Sequence, residues 1–250
     1  MLNIAAGTSS YTINNSLRFR GSASAYLSRT PASASNQKTW TWSGWFKRGA
    51  LSSGSTGQLL LGVYYTATDA TSFYINIVSD QINIGTQATD LRISTQVLRD
   101  PSAWYHLVVA LDTTQATAAN RLKVYLNGSE VTSWSTNTTI TQNTNYGVNI
   151  AQEHDIGRRP QGASLAYFDG YQAEVNFIDG QQLTPSSFGQ TDSTTGVWQP
   201  KKYTGTYGTN GFYLPFNPSA STSYAGSFNG SNQYLSLPNS SAWDLSSGNW

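Results

Sequence analysis

Trp104-Tyr105-His106-Leu107-Val108-Val109-Ala110-Leu111 is the stretch from which the architecture is read. Side chains of an extended chain alternate between two faces, and here both faces are apolar except at His106. This is the pattern of a central strand covered on both sides. The next segment, residues 121–127, alternates again, with Leu122, Val124 and Leu126 expected inward and Arg121, Lys123 and Tyr125 outward. Asn127-Gly128 then supplies the two residue types that accept a positive φ most readily, so a tight hairpin turn into residues 129–131 is expected.

Outward from this pair the same grammar recurs. Phe73, Ile75 and Ile77 share one face, Ser79-Asp80 makes a turn, and Ile82 and Ile84 resume the pattern. Residues 168–178 place Tyr171, Ala173, Val175 and Phe177 on one expected face and Gln172, Glu174 and Asn176 on the other, before a turn at Asp179-Gly180. No amphipathic helical period is present. Short strands separated by turn residues at near-regular intervals predict an all-β sandwich or barrel. Residues 190–224 are dense in Gly, Thr, Pro and Tyr, and Pro200, Pro215 and Pro218 exclude long ladders, so this part reads as an extended closing segment and linker. Beyond it, Phe228-Asn229-Gly230-Ser231, Tyr234-Leu235-Ser236 and Trp250 echo Phe19-Arg20-Gly21-Ser22, Tyr26-Leu27-Ser28 and Trp40. Residues 225–250 are therefore expected to begin a second, incomplete repeat. The expected organisation is an N-terminal arm (1–16), a sandwich (17–189), the closing segment (190–224) and that repeat.

Composition narrows the function. The 250 residues can bury a core without staples, and charged residues are 11% of the chain against about 25% in an average soluble domain. With a formal net charge of +1 and scattered Lys and Arg, no basic field exists to hold nucleic acid. Cysteine is absent, which excludes disulfides and thiolate metal sites. Residues 1–11 lack the basic start and apolar run of a secretory leader, and residues 107–111, the longest apolar run, are too short to span a bilayer, so no membrane insertion is expected.

Several stretches in order resemble a known family. Leu17-Arg18-Phe19, Tyr26-Leu27, residues 40–47, Trp104-Tyr105-His106-Leu107-Val108-Val109, Lys123-Val124-Tyr125-Leu126-Asn127-Gly128, Ile156-Gly157-Arg158 and residues 168–175 are similar to laminin-G-like, concanavalin A-like domains over residues 17–185. The resemblance implies a jelly-roll sandwich of two antiparallel sheets that binds sugars or proteins, often with calcium. Residues 40–46, 112–117, 177–185 and 196–205 further resemble the version found in virion proteins of bacteriophages.

The residues that could carry chemistry are few. Sandwich glycanases need paired carboxylates about 5–5.5 Å apart for retaining hydrolysis. Of the three glutamates, Glu130, Glu153 and Glu174, Glu153-His154-Asp155 lacks the third carboxylate of a Glu-x-Asp-x-Glu motif, and Glu174-Val175-Asn176 carries Asn where Asp is needed. No Gly-x-Ser-x-Gly elbow is present, and His106 reads as a histidine of the core or sheet face. His154, expected in a loop between Glu153 and Asp155, reads either as a metal corner or as a solvated turn. Asp112, Asp155 and Asp169, expected in loops or at strand ends, are the candidate calcium ligands, Ca2+ being the one cofactor the resemblance suggests. For glycan contact, Trp134, Tyr146, Tyr167 and Tyr171 are the surface candidates, whereas Trp40, Trp45 and Trp104 are expected mostly in the core.

The expectation from these readings is a non-enzymatic phage virion protein, a tail fibre or head decoration exposed on the particle. Its sandwich would serve assembly, attachment to a host-surface glycan, or both. Its partners would be other virion proteins and copies of itself in a symmetric oligomer, trimers included, with residues 1–16 docking on a neighbouring subunit. The alternatives are a free carbohydrate-binding module, a glycan hydrolase and a purely architectural spacer.

Overall fold

A computed structural model describes residues 11–51, 57–63, 68–160, 166–217 and the strand Leu235–Ser236. Strands are numbered in chain order. The first sheet contains β1 (Leu17–Phe19), β3 (Thr39–Arg48), β8 (Tyr105–Asp112), β9 (Leu122–Leu126), β10 (Ser129–Glu130), β13 (Gly170–Asp179) and β16 (Phe212–Leu214). Its order is β1-β13-β3-β8-β9-β10, with β16 also paired to β13. The second sheet contains β2 (Leu27–Arg29), β4 (Gln58–Val63), β5 (Phe73–Val78), β6 (Gln81–Gly85), β7 (Asp90–Val97), β11 (Trp134–Asn137), β12 (His154–Ile156) and β17 (Leu235–Ser236). These run β11-β7-β6-β5-β4-β12-β2-β17. A separate hairpin joins β14 (Gly189–Thr191) to β15 (Trp198–Pro200). The two large sheets are antiparallel, as expected of the jelly-roll sandwich, save that β17 lies parallel to β2.

β8 is a central strand, bonded to β3 and β9, and all eight of its residues are buried. The turns fall where expected. Ser79 and Asp80 have φ of 49° and 64°, Asn127 and Gly128 48° and 82°, and Gly180 86°. The two inner faces meet in one core, in which Trp40, Trp42 and Phe46 of β3 and Leu107, Val109 and Leu111 of β8 join Ile75, Ile77, Ile82 and Ile84. Trp40 meets Phe73 edge to face with centroids 5.0 Å apart. Gly44 belongs to the same inner row, and a Cβ there would sit 2.8 Å from the Trp42 ring, so the indole occupies the space that glycine leaves. Arg48 ends this row with a fully buried side chain, bonded to Asp80 Oδ1 at 2.7 Å and to the Leu98 carbonyl at 2.6 Å. It ties β3 to the β5–β6 turn.

Two expected faces are corrected. Arg121 is buried rather than outward, because its guanidinium donates to the carbonyls of Gln115, Ala116 and Ile140. In β13 the alternation is broken by a bulge. Ala173 pairs with Trp45 and Asn176 with Ser43, so one extra residue is accommodated, and Glu174 takes φ 49°. Before the bulge Gln172 pairs with the core residue Phe46, and Tyr171 and Ala173 share the outer face. After it Val175 and Phe177 are in the core. A single inserted residue flips every later side chain to the other face.

The outer face of the seven-stranded sheet is covered by the chain that follows β13. Phe188 packs with Val108 and Ile178, supported by Tyr125, Leu183, Tyr203 and Tyr207. Thus residues 190–217 cover the sandwich, and β16 enters the sheet itself. Residues 1–10 lie outside the described residues, but Tyr11 of the expected arm is bonded to this protein's own Glu174 and Tyr213. Of the expected second repeat only β17 is described, with Leu235 opposite Leu27 and Ser236 opposite Ser28.

An aromatic cleft on the outer sheet face

The parity of β3 and β8 determines which side chains can meet a ligand. Trp40, Trp42 and Phe46 face the core, so Ser43 and Trp45 face outward. Tyr105 and Leu107 face inward, so Trp104 and His106 face outward with Trp45, which is paired to His106 in the ladder. One end of this outer row stays uncovered. There Trp45, Trp104 and Ala173 line a cleft of about 290 Å³ with Ile13, Asn14, Asn15 and Ser16 of the N-terminal segment. Trp104, expected mostly in the core, is 39% exposed, whereas Trp45 is 8% exposed. The expectation for Trp104 failed because it precedes the strand and falls on the outer parity, next to the part of the sheet that the closing segment does not reach.

The segment forming the other side is fixed at both ends. Tyr11 donates from its hydroxyl to Glu174 Oε2 at 2.9 Å, and Tyr213 donates to Oε1 at 2.6 Å. Burial of Glu174 raises its pKa above the ordinary carboxylate value, against the lowering effect of the two tyrosine hydrogen bonds. At the other end the Asn15 amide donates to Asn217 Oδ1 at 2.6 Å. Loop residues 13–16 are therefore held against the sheet by side chains from its last strands and the chain after them.

Behind Trp45 the sheet is closed by an aromatic cluster. His106 lies between Trp45 and Trp198, with centroids 4.8 and 5.9 Å away and rings inclined by 23° and 22°. The Trp198 indole donates to His106 Nδ1 at 3.0 Å, and Ser43 Oγ lies 2.9 Å from Nε2. An indole N–H can only donate, so Nδ1 is the acceptor and Nε2 carries the proton. The ring therefore donates to Ser43 and cannot withdraw its proton, which makes this Ser–His pair a structural contact rather than a nucleophile and its base. Burial lowers the His106 pKa to about 3, so the ring is neutral at ordinary pH.

The sequence-derived candidates are dispersed. Tyr146 is buried rather than on the surface, because its ring packs edge to face on Phe73 in the core. Trp134 is half-buried on the edge strand β11, where Arg92 lies 5.9 Å from its ring centre. Tyr167 packs near Tyr26, with centroids 6.5 Å apart, and Tyr171 is exposed beneath Arg18 at 5.2 Å. Trp45 and Trp104 are the site residues that the sequence reading misses, although simple alternation along residues 104–106 places Trp104 on the same face as His106.

The three aspartates are also apart. Asp112 ends β8 and accepts bonds from Thr39, Thr114 and Gln115. Asp155 is fully buried in β12 rather than in a loop and is bonded to Arg158 at 2.6 Å; burial raises its pKa to about 7. Asp169 precedes β13 and accepts from Arg18 at 2.7 Å and from the Gly21 amide. His154 is in β12 as well, not a loop. Its Nε2 accepts the Asn149 amide at 3.1 Å, and its Nδ1 lies 2.7 Å from the Gln152 carbonyl. Among the described residues no three His, Asp or Glu side chains gather as a metal site would require.

The profile of the family described as the concanavalin A-like lectin/glucanases superfamily matches residues 20–187. No curated protein sequence matches. Among solved structures, laminin alpha1 domains LG4–5 of mouse are similar at 15% identity and TM-score 0.44, covering 76% of this chain and 46% of that one. Domain 4 of the GH43 extracellular arabinanase of Geobacillus stearothermophilus, in complex with arabinotriose, matches at 18% identity and TM-score 0.42, with 62% and 65% covered. The heptameric SAP-like pentraxin of Limulus polyphemus matches at 16% identity and TM-score 0.39, with 63% and 76% covered. The chain thus spans less than two thirds of the laminin and arabinanase chains it matches.

Proposed function

The chain belongs to the concanavalin A-like lectin/glucanases superfamily, and on that premise we propose that it is a non-catalytic glycan-binding protein whose site is the cleft between Trp45, Trp104 and residues 13–16. The observation that carries the reading is the exposed Trp104 beside a cleft bordered by amides and a hydroxyl. Indole faces stack on the apolar faces of sugar rings, while amides and hydroxyls bond the ring substituents. The non-catalytic part is supported by Glu174, whose two carboxylate oxygens accept bonds from Tyr213 and Tyr11. A retaining glycosidase needs a second carboxylate about 5–5.5 Å away. The place of work is, in this proposal, the surface of a bacteriophage particle, where the protein would attach to host glycans as part of a symmetric oligomer. That part rests on the resemblance of residues 40–46, 112–117, 177–185 and 196–205 to phage virion proteins.

The test is co-sedimentation with insoluble polysaccharides. Trp104→Ala is expected to weaken retention about ten-fold, the equivalent of ~1.4 kcal/mol, and to leave the thermal midpoint nearly unchanged. Full retention by the variant would remove the site from this cleft. Release of reducing ends during the incubation would overturn the non-catalytic reading. Proteomic detection of the chain in purified particles tests the virion setting, and its absence from them would end that part.

A further inference from the structure

The electrostatics of the cleft narrow its ligand, given the glycan-binding reading above. All seven residues that line it, Ile13, Asn14, Asn15, Ser16, Trp45, Trp104 and Ala173, are uncharged. The charged groups near the adjoining strands have partners of their own: Lys201, near Trp45 on the side covered by the closing segment, donates to the Ser186 carbonyl at 3.1 Å, and Lys202 acts on Glu174, where it favours the charged carboxylate. Arg18 is paired with Asp169 at 2.7 Å, and Glu174 accepts two tyrosine hydroxyls. Lys47, two residues beyond Trp45 on the same strand parity, does not line the cleft, and it interacts electrostatically with Asp100. A carboxylate or sulfate entering between the indoles would lose hydration and meet no cation among the lining residues in exchange, a costly burial. A hydroxyl has no such cost, because amide groups of Asn14 and Asn15 and the Ser16 side chain can take its hydrogen bonds. The volume of about 290 Å³ falls just below the roughly 300–1,000 Å³ typical of ligand sites.

We propose that the Trp45–Trp104 cleft selects short segments of uncharged polysaccharide and rejects uronic and sulfated chains. Selection comes from the lack of an ionic partner among the seven lining residues rather than from repulsion by a fixed charge. Affinity for the neutral ligand is therefore nearly independent of ionic strength, since no charge pair is available for salt to screen.

The experiment is affinity electrophoresis of the full chain through gels carrying a neutral glucan, a neutral galactomannan, polygalacturonate or a sulfated galactan, at low salt and at about 0.5 M. It uses the native protein, Trp104→Ala and Lys47→Gln. The expected result is retardation by at least one neutral polymer, unchanged by salt and by Lys47→Gln, and reduced about ten-fold in Trp104→Ala. Trp104-dependent retardation by an acidic polymer, abolished by salt or by Lys47→Gln, would overturn the selectivity and leave the cleft as a glycan site. Retardation by any polymer that Trp104→Ala leaves intact would overturn both the selectivity and the site. Circular dichroism of each variant separates loss of binding from loss of fold.

Discussion

His106 shows how one residue can be conspicuous in a sequence and structural in the fold. Its ring is stacked on Trp45 and bonded at its edge by Trp198, with a pKa lowered to about 3 by burial. Above the ordinary histidine value near 6.5 neither the folded nor the unfolded chain protonates this ring. As pH falls below it, the unfolded chain takes a proton that the folded chain refuses, so stability decreases until pH reaches the folded value. At pH 4.5 the loss from this residue should be about 2–3 kcal/mol. Urea unfolding at pH 7 and 4.5 checks this: His106→Gln should lower stability at pH 7 but flatten the pH dependence by close to one proton. An unchanged slope would mean that His106 takes up its proton as readily in the folded chain as in the unfolded one. The reading of His106 as a core or sheet-face residue was available from the sequence, because a single polar residue inside an apolar strand is usually accommodated. Its partner Trp198 was not, since 92 residues separate them.

At the scale of elements, the closing hairpin and the bulge set what is covered and what stays open. The turn glycine Gly128, at φ 82°, would place a Cβ 2.4 Å from the Trp198 ring, and one at Gly189 would lie 2.3 Å from the same indole. Two glycines thus make room for the tryptophan that closes the sheet over His106. Gly128→Ala combines a left-handed backbone with a steric clash and is expected to cost about 1–3 kcal/mol, measured by urea unfolding. Trp198→Ala should recover much of that loss when combined with it, because the obstructing ring is gone. Additive effects of the two changes would contradict the contact. Turns at Ser79-Asp80, Asn127-Gly128 and Asp179-Gly180 were legible because each carries Asp, Asn or Gly, the residue types that favour turns. The bulge at Glu174 was not, since nothing in the alternation of residues 168–178 marks the insertion; only the partner register does. That missed residue inverted the expected faces of Tyr171 and Ala173 relative to Val175 and Phe177.

For the whole molecule, strand period and turn chemistry sufficed for the sandwich, while the cleft depends on long-range coverage. Residues 181–217 shield one part of an outer face and leave Trp104 uncovered. Composition does not encode that boundary, which explains why Trp134, Tyr146, Tyr167 and Tyr171 were favoured over Trp45 and Trp104. A small uncharged cleft suits modest affinity at each site, and in the proposed setting of several copies on one particle, avidity would rise through high effective concentration without new contacts. The most direct measurement is a titration of the native chain, indole-labelled with 15N, with a neutral oligosaccharide, following the side-chain N–H resonances of its 8 tryptophans. The account predicts that the Trp104 signal, identified by its loss in Trp104→Ala, shifts most, accompanied by Trp45. A titration in which Trp134 moves and Trp104 stays in place would contradict it and shift the site to the edge of the other sheet.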